Sequence, residues 1–202
     1  MTEKIFVVDE LILGRRSDDL SHLPDDMPPW MKRTIVLIDG FSIKTGKIIC
    51  WLTIPLIAAM FYEITVRYLF TSPTAWAYDI SRMLYGSMFI LGAGYALQKN
   101  VHIRSDFLYR AWPIRTQAGT DLVMYLFLYF PTMVIFLWIA ADWALLSAIR
   151  AERGTDTTWM PYLGPIKLAL PVGVLTLIIQ GISEVLKAGY AYRHGKWPGN
   201  DS

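Results

Sequence analysis

Five ionisable side chains interrupt long apolar runs or stand at their edges: Glu63, Arg67, Asp79, Arg82 and Asp142. Glu63 precedes Arg67 by four residues, the favourable order for an ion pair along one helix. Asp79 and Arg82 are three apart, which again puts acid and base on one helical face. Charged groups inside or at the margin of a membrane span are costly unless partnered. Two chemistries fit such a set. One is a charge-lined pathway for an ion or solute; the other is pairing between helices and docking of a partner subunit. The second is preferred, because groups near span ends reach the headgroup region at lower cost than central ones.

These positions require helices long enough to cross a bilayer, and the composition supplies them. The 202 residues are 54% hydrophobic with a mean hydropathy of +0.35. A soluble domain has no need of uninterrupted apolar runs of span length. A net charge of +2, without a basic stripe interleaved with aromatics, argues against a nucleic-acid partner. The single Cys50 lies in an apolar run and is expected to be a small buried hydrophobe.

Four segments reach the required length: about Ile48–Phe70, Ile80–Leu97, Ala118–Ile149 and Ile166–Leu186, the last approached through Pro161, Pro165 and Pro171. The third would measure about 48 Å against a hydrocarbon core of about 30 Å. It is therefore expected to tilt, to kink near Pro131 or to project beyond the membrane. Lys32, Arg33, Lys44 and Lys47 precede the first segment, and Lys99, Arg104, Arg110 and Arg115 follow the second. Lys187, Arg193 and Lys196 follow the fourth, whereas residues 71–78 hold no Lys or Arg. The basic flanks mark the cytoplasmic side, so both termini are expected there, and Glu63, Arg67, Asp79, Arg82 and Asp142 fall toward the opposite side.

The expected fold is an all-α integral membrane protein with four transmembrane helices. Residues 1–47 form a cytoplasmic extension and 48–202 the membrane domain with a short tail. Residues 1–47 mix acids and bases without the basic start and apolar core of a cleavable signal, so insertion is expected to rest on the internal spans. Two stretches read as interfacial amphipathic helices or as ordinary short loops: one around Ile103, Phe107, Ala111 and Trp112, the other around Ile35, Ile38 and Phe41. Gly92 and Ala96 form a small-xxx-small pair suited to close helix approach. Trp51, Trp76, Trp112, Trp138, Trp143 and Trp159 gather near span ends, as aromatic belts do.

His22, His102 and His194 all lie outside the spans, so buried axial ligands for haem are missing and a redox-enzyme anchor is disfavoured. No phosphate loop, HExxH, cysteine cluster or nucleophile elbow occurs. Neither enzymatic activity nor a cofactor or metal is expected. A self-contained homo-oligomeric transporter or channel stays open as a rival reading.

The ordered pieces Arg67-Tyr68-Leu69-Phe70, Trp76-Ala77-Tyr78-Asp79-Ile80-Ser81-Arg82, Leu91-Gly92-Ala93, Ala96-Leu97 and His102-Ile103-Arg104-Ser105-Asp106 carry a resemblance. Together they are similar to the small membrane subunit, the DctQ-type small permease, of tripartite ATP-independent periplasmic (TRAP) transporters. The likeness runs from about Ile38 to Leu186. Many members of that family carry two adjacent acids after the tryptophan, where this chain has Tyr78-Asp79. Asp79, Gly164-Pro165-Ile166-Lys167 and Gln180-Gly181-Ile182-Ser183-Glu184 resemble a subgroup associated with 2-oxo acids, lactate or similar organic acids.

The resemblance implies a scaffold in the bacterial inner membrane. A large permease subunit would carry the solute, a periplasmic binding protein would deliver it, and a cation gradient would drive uptake. In that setting Glu63, Arg67, Asp79, Arg82 and Asp142 serve contacts between helices or with subunits, and Trp76 sets the start of the second span. His102, Arg104 and Asp106 fix the cytoplasmic turn, and lipids surround the whole.

Overall fold

The computed structural model describes residues 23–24, 26–99 and 112–198. They form six α-helices: α1 Pro29–Cys50, α2 Thr53–Leu69, α3 Ala77–Gln98, α4 Ile114–Val123, α5 Phe130–Ile149 and α6 Gly164–His194. A π-helical segment, Met124–Tyr129, joins α4 to α5. Among the described residues there is no β-strand, and the Arg153–Tyr162 bridge stands alone. His102, Arg104 and Asp106, with Ile103, Phe107 and Ala111 of one interfacial stretch, lie outside the described residues.

Prolines mark where the long helices deform. α1 and α2 form a helical stretch of 41 residues, Pro29–Leu69, interrupted at Trp51 and Leu52. Pro55 lacks an N–H, so it cannot satisfy the carbonyl of Trp51 four residues back. The chain tightens instead, with Ile54 N–H reaching the Trp51 carbonyl at 3.2 Å and Leu52 N–H reaching Ile49 at 2.9 Å, both i→i−3 bonds. The helix thus starts well ahead of the expected span boundary at residue 48. Pro131 acts in a similar way. The turn before it widens, and the Phe130 N–H bonds the carbonyl of Tyr125 five residues back. A kink near Pro131 is one of three expected outcomes, with tilt and projection; the structure has a π-helical turn. Pro171 sits inside α6, not at its approach, because the helix already begins at Gly164.

Among the described residues, three helical stretches are long and apolar enough to cross a membrane: Pro29–Leu69, Ile114–Ile149 and Gly164–His194. α3 has 22 residues, but Asp79 and Arg82 in its opening turns dilute its apolar character and it falls outside that set.

The chain divides into two compact units, each assembled from segments distant in sequence. One comprises Met1–Phe41, Ala96–Pro131 and Ile179–Ser202; the other comprises Ser42–Tyr95 and Thr132–Ile178. In the first, Met27, Ile35 and Tyr190 form an apolar core flanked by Leu23, Met31 and Leu186. Ile35 is completely buried there while Phe41 is exposed, so these two do not share an interfacial face. In the second, glycines bring helices into contact. A Cβ on Gly173 would lie 2.4 Å from Ile90 Cγ2, and one on Gly46 would lie 2.4 Å from the Tyr95 ring. Gly94, not Gly92, is the close-packed glycine of α3: a Cβ there would lie 3.0 Å from Thr176 Oγ1, whereas one on Gly92 would meet nothing within 4 Å. Cys50 is exposed and not buried as its apolar context suggested.

Candidate functional site

The second unit draws four of the five ionisable residues into two adjoining networks. At the end of α2, Arg67 Nη2 donates to Glu63 Oε1 at 2.5 Å and Nε donates to the same oxygen at 2.9 Å. Glu63 Oε2 accepts from the backbone N–H of Thr74 at 3.1 Å and from the Thr74 hydroxyl. One carboxylate thus fastens the last turns of α2 to the connection that leads into α3. The connection itself turns at Thr71 with φ +50°, and Trp76 stacks on Tyr62 with ring centroids 5.4 Å apart. The Trp76 ring, just before α3, thus packs against a residue of α2.

The second network begins with Asp79, in the first turn of α3 where the helix dipole favours an anion. Asp79 is fully buried. Its Oδ1 accepts from Arg82 Nη2 at 3.3 Å and its Oδ2 from the Thr157 hydroxyl. Arg82 Nη1 donates to Asp156, and its guanidinium lies 5.7 Å from the centre of the Tyr78 ring. Sequence spacing identified the Asp79–Arg82 pair but not Asp156 and Thr157, which lie more than seventy positions further along the chain.

Both partners come from a folded connection between α5 and α6. Gly154 N–H bonds the Pro161 carbonyl at 2.8 Å, Leu163 N–H bonds Glu152 at 3.0 Å, and the Tyr162 hydroxyl donates to the Ala148 carbonyl at 3.1 Å. Ala151 and Met160 turn the chain with positive φ. Buried Lys167 anchors this connection to α6, reaching Glu152 Oε2 at 2.5 Å and lying 4.2 Å from the Trp143 ring.

The Lys167 ammonium holds the Glu152 carboxyl below the usual carboxylate range. A depressed folded-state pKa contributes stability above the unfolded value and loses it as pH falls through the folded one. The tether should therefore persist at pH 7 and fail only in acid below the ordinary carboxylate range. Glu152 is solvent-exposed, so the effect is small. Glu152→Gln should flatten the acid limb of a melting-temperature profile measured from about pH 3 to pH 7; an unchanged acid limb would count against the tether.

Asp142 stands apart. It is exposed on α5, and its carboxylate makes no hydrogen bond or ion pair with any described residue. The structure thus brings Glu63, Arg67, Trp76, Asp79 and Arg82 together and leaves Asp142 outside.

A third polar group, in the first unit, was not singled out by spacing. Asp39 Oδ2 accepts from Lys187 Nζ at 2.5 Å, and Oδ1 accepts from Ser183 Oγ at 2.6 Å and Gln180 Nε2 at 3.0 Å. Glu184 Oε1 accepts from Lys187 at 3.2 Å. All five residues are buried. Two signals were available: an acid inside Ile35-Val36-Leu37-Ile38-Asp39, and polar residues at 180, 184 and 187 along one face of an apolar helix.

No group of three or more His, Cys, Asp and Glu among the described residues is placed to hold a metal. The charged side chains of these networks pair with one another, on the helices and on the connections between them. This is a membrane protein whose charged groups knit helices and connections together. The profile of the family described as tripartite ATP-independent periplasmic transporters, DctQ component, matches residues 56–189. The chain belongs to that family; it is a TRAP transporter small permease subunit and not an enzyme. It is similar to the sialic acid TRAP transporter small permease protein SiaQ of Vibrio cholerae serotype O1 (strain ATCC 39315 / El Tor Inaba N16961). The two are 24% identical over 147 residues, covering 66% of this chain and 77% of the relative. No solved structure matches.

Proposed function

We propose that this subunit is a static brace for a large permease subunit that takes up an organic acid, driven by a cation gradient and supplied by a periplasmic binding protein. The observation that carries the reading is the closure of the charge networks. Glu63 with Arg67, Asp79 with Arg82 and Asp156, and Glu152 with Lys167 are all paired. Charges so engaged are suited to holding an architecture, and a solute pathway needs groups free to exchange partners. The organic-acid class includes the sialic acid named for the Vibrio relative.

In this reading the protein crosses the bacterial inner membrane four times. α3 supplies the additional crossing, since its 22 residues span about 33 Å against a core of about 30 Å. An even number of crossings, with basic residues flanking the same ends, places both termini in the cytoplasm. The connection between α3 and α4, which contains His102, Arg104 and Asp106, then falls on the cytoplasmic side.

Reconstitution tests the proposal. The chain co-expressed with its large permease should give gradient-dependent uptake in liposomes when the binding protein is added, and neither membrane subunit alone should do so. Transport by this chain alone would establish the self-contained carrier instead, and full activity of the large subunit alone would remove the brace.

A further inference from the structure

The Asp142 carboxylate, which has no ion pair among the described residues, stands in the middle of an exposed apolar strip. At 3.6 residues per turn, Ala140, Ala144 and Ser147 lie about 140–200° around α5 from Asp142. These three are the residues of α5 buried within the chain. Ile135, Trp138, Leu146 and Ile149 lie within about 40° of Asp142 and are exposed. The strip from Ile135 to Ile149 is about 21 Å long, and it belongs to the candidate membrane span Ile114–Ile149.

Lipid is a poor occupant for such a strip. Polar residues beyond the helix begin at Arg150, about 12 Å along the axis from Asp142. Long Lys and Arg side chains cover such distances to the headgroups, but the short carboxylate of Asp does not. Ionisable groups within spans face protein or water and pair there. Exposed Trp138, one turn away, offers the large aromatic surface that anchors protein contacts.

We propose that the Ile135–Ile149 face of α5 docks a transmembrane helix of the large permease subunit, and that this helix presents an arginine or lysine to Asp142. The inference rests on the subunit reading above and gives it a specific face and a specific ion pair. It also separates Asp142 from Glu63, Arg67, Asp79 and Arg82, which find partners within the chain.

Co-purification from membranes that express the full-length chain and the large permease tests it. The wild-type chain should recover the large subunit; if it does not, the subunit reading itself fails. Asp142→Lys should lower that recovery at least tenfold and the near-isosteric Asp142→Asn several-fold. Because the Asp142 carboxylate makes no hydrogen bond or ion pair with any described residue, both variants alone should elute and melt like the wild type. A photo-crosslinking residue at Ile135 or Trp138 should form an adduct with the large subunit. Wild-type recovery by both Asp142 variants, an adduct only with a second copy of this chain, or no adduct would each overturn the docking face.

Discussion

Replacing Arg82 with glutamate is expected to disorder the start of α3 and to abolish transport by the assembled complex. Arg82 is the common partner of Asp79 and Asp156. Charge reversal would put three carboxylates where one cation now joins two. Asp79 has a side chain only 1% exposed and would lose its counter-charge while staying buried. Breaking a buried pair in this way costs about 3–5 kcal/mol. The Arg82 side chain is 43% exposed, and solvent screening lowers the expectation to about 1–3 kcal/mol.

The geometry allows a rescue. Combining Arg82→Glu with Asp156→Arg restores one opposite-charge contact between α3 and the α5–α6 connection and provides a cation near Asp79. The double variant should melt closer to wild type than Arg82→Glu alone, and the coupling should reach at least about 0.5 kcal/mol, as for residues in one network. Melting of the purified chain and uptake by the reconstituted complex are the two readouts. Intact melting and full uptake in Arg82→Glu would remove Arg82 from any structural role. Additive effects of the two substitutions would show that Arg82 and Asp156 act independently.

What the sequence makes legible here follows the distance over which each interaction acts. Glu63 with Arg67 and Asp79 with Arg82 are readable because a helix places residues three and four apart side by side. The deformation near Pro131 is readable because a missing N–H is a local property. The break at Trp51–Leu52 is local in the same sense: Pro55 marks it, although apolar composition alone set the expected span boundary at residue 48. Asp156 and Thr157 are another matter. They meet the α3 start only through a connection folded on Gly154, Pro161 and two positive-φ residues, and no short-range pattern announces that fold. Glycine packing shows the same limit. Gly92 and Gly94 have the same composition and the same helix, yet Gly94 alone of the two faces a neighbour closely. Which side of α3 is packed depends on α6, not on α3.

Lys187 is the most consequential residue that spacing overlooked, and its removal is expected to have the largest effect on stability. Its ammonium contacts Asp39 at 2.5 Å and Glu184 at 3.2 Å, with all three side chains no more than 7% exposed. Lys187→Ala would leave two carboxylates buried together without a cation, at a cost of about 3–5 kcal/mol. Asp39→Ala should be milder, because Lys187 keeps Glu184 as a partner. Charge balance thus predicts an order of damage that side-chain size does not explain: removing the cation harms more than removing the anion it touches most closely. Melting temperatures of the two variants in one detergent measure that order directly. If Asp39→Ala proved the more destabilising, the three hydrogen bonds that Asp39 accepts, from Gln180, Ser183 and Lys187, would outweigh the electrostatic balance of the cluster.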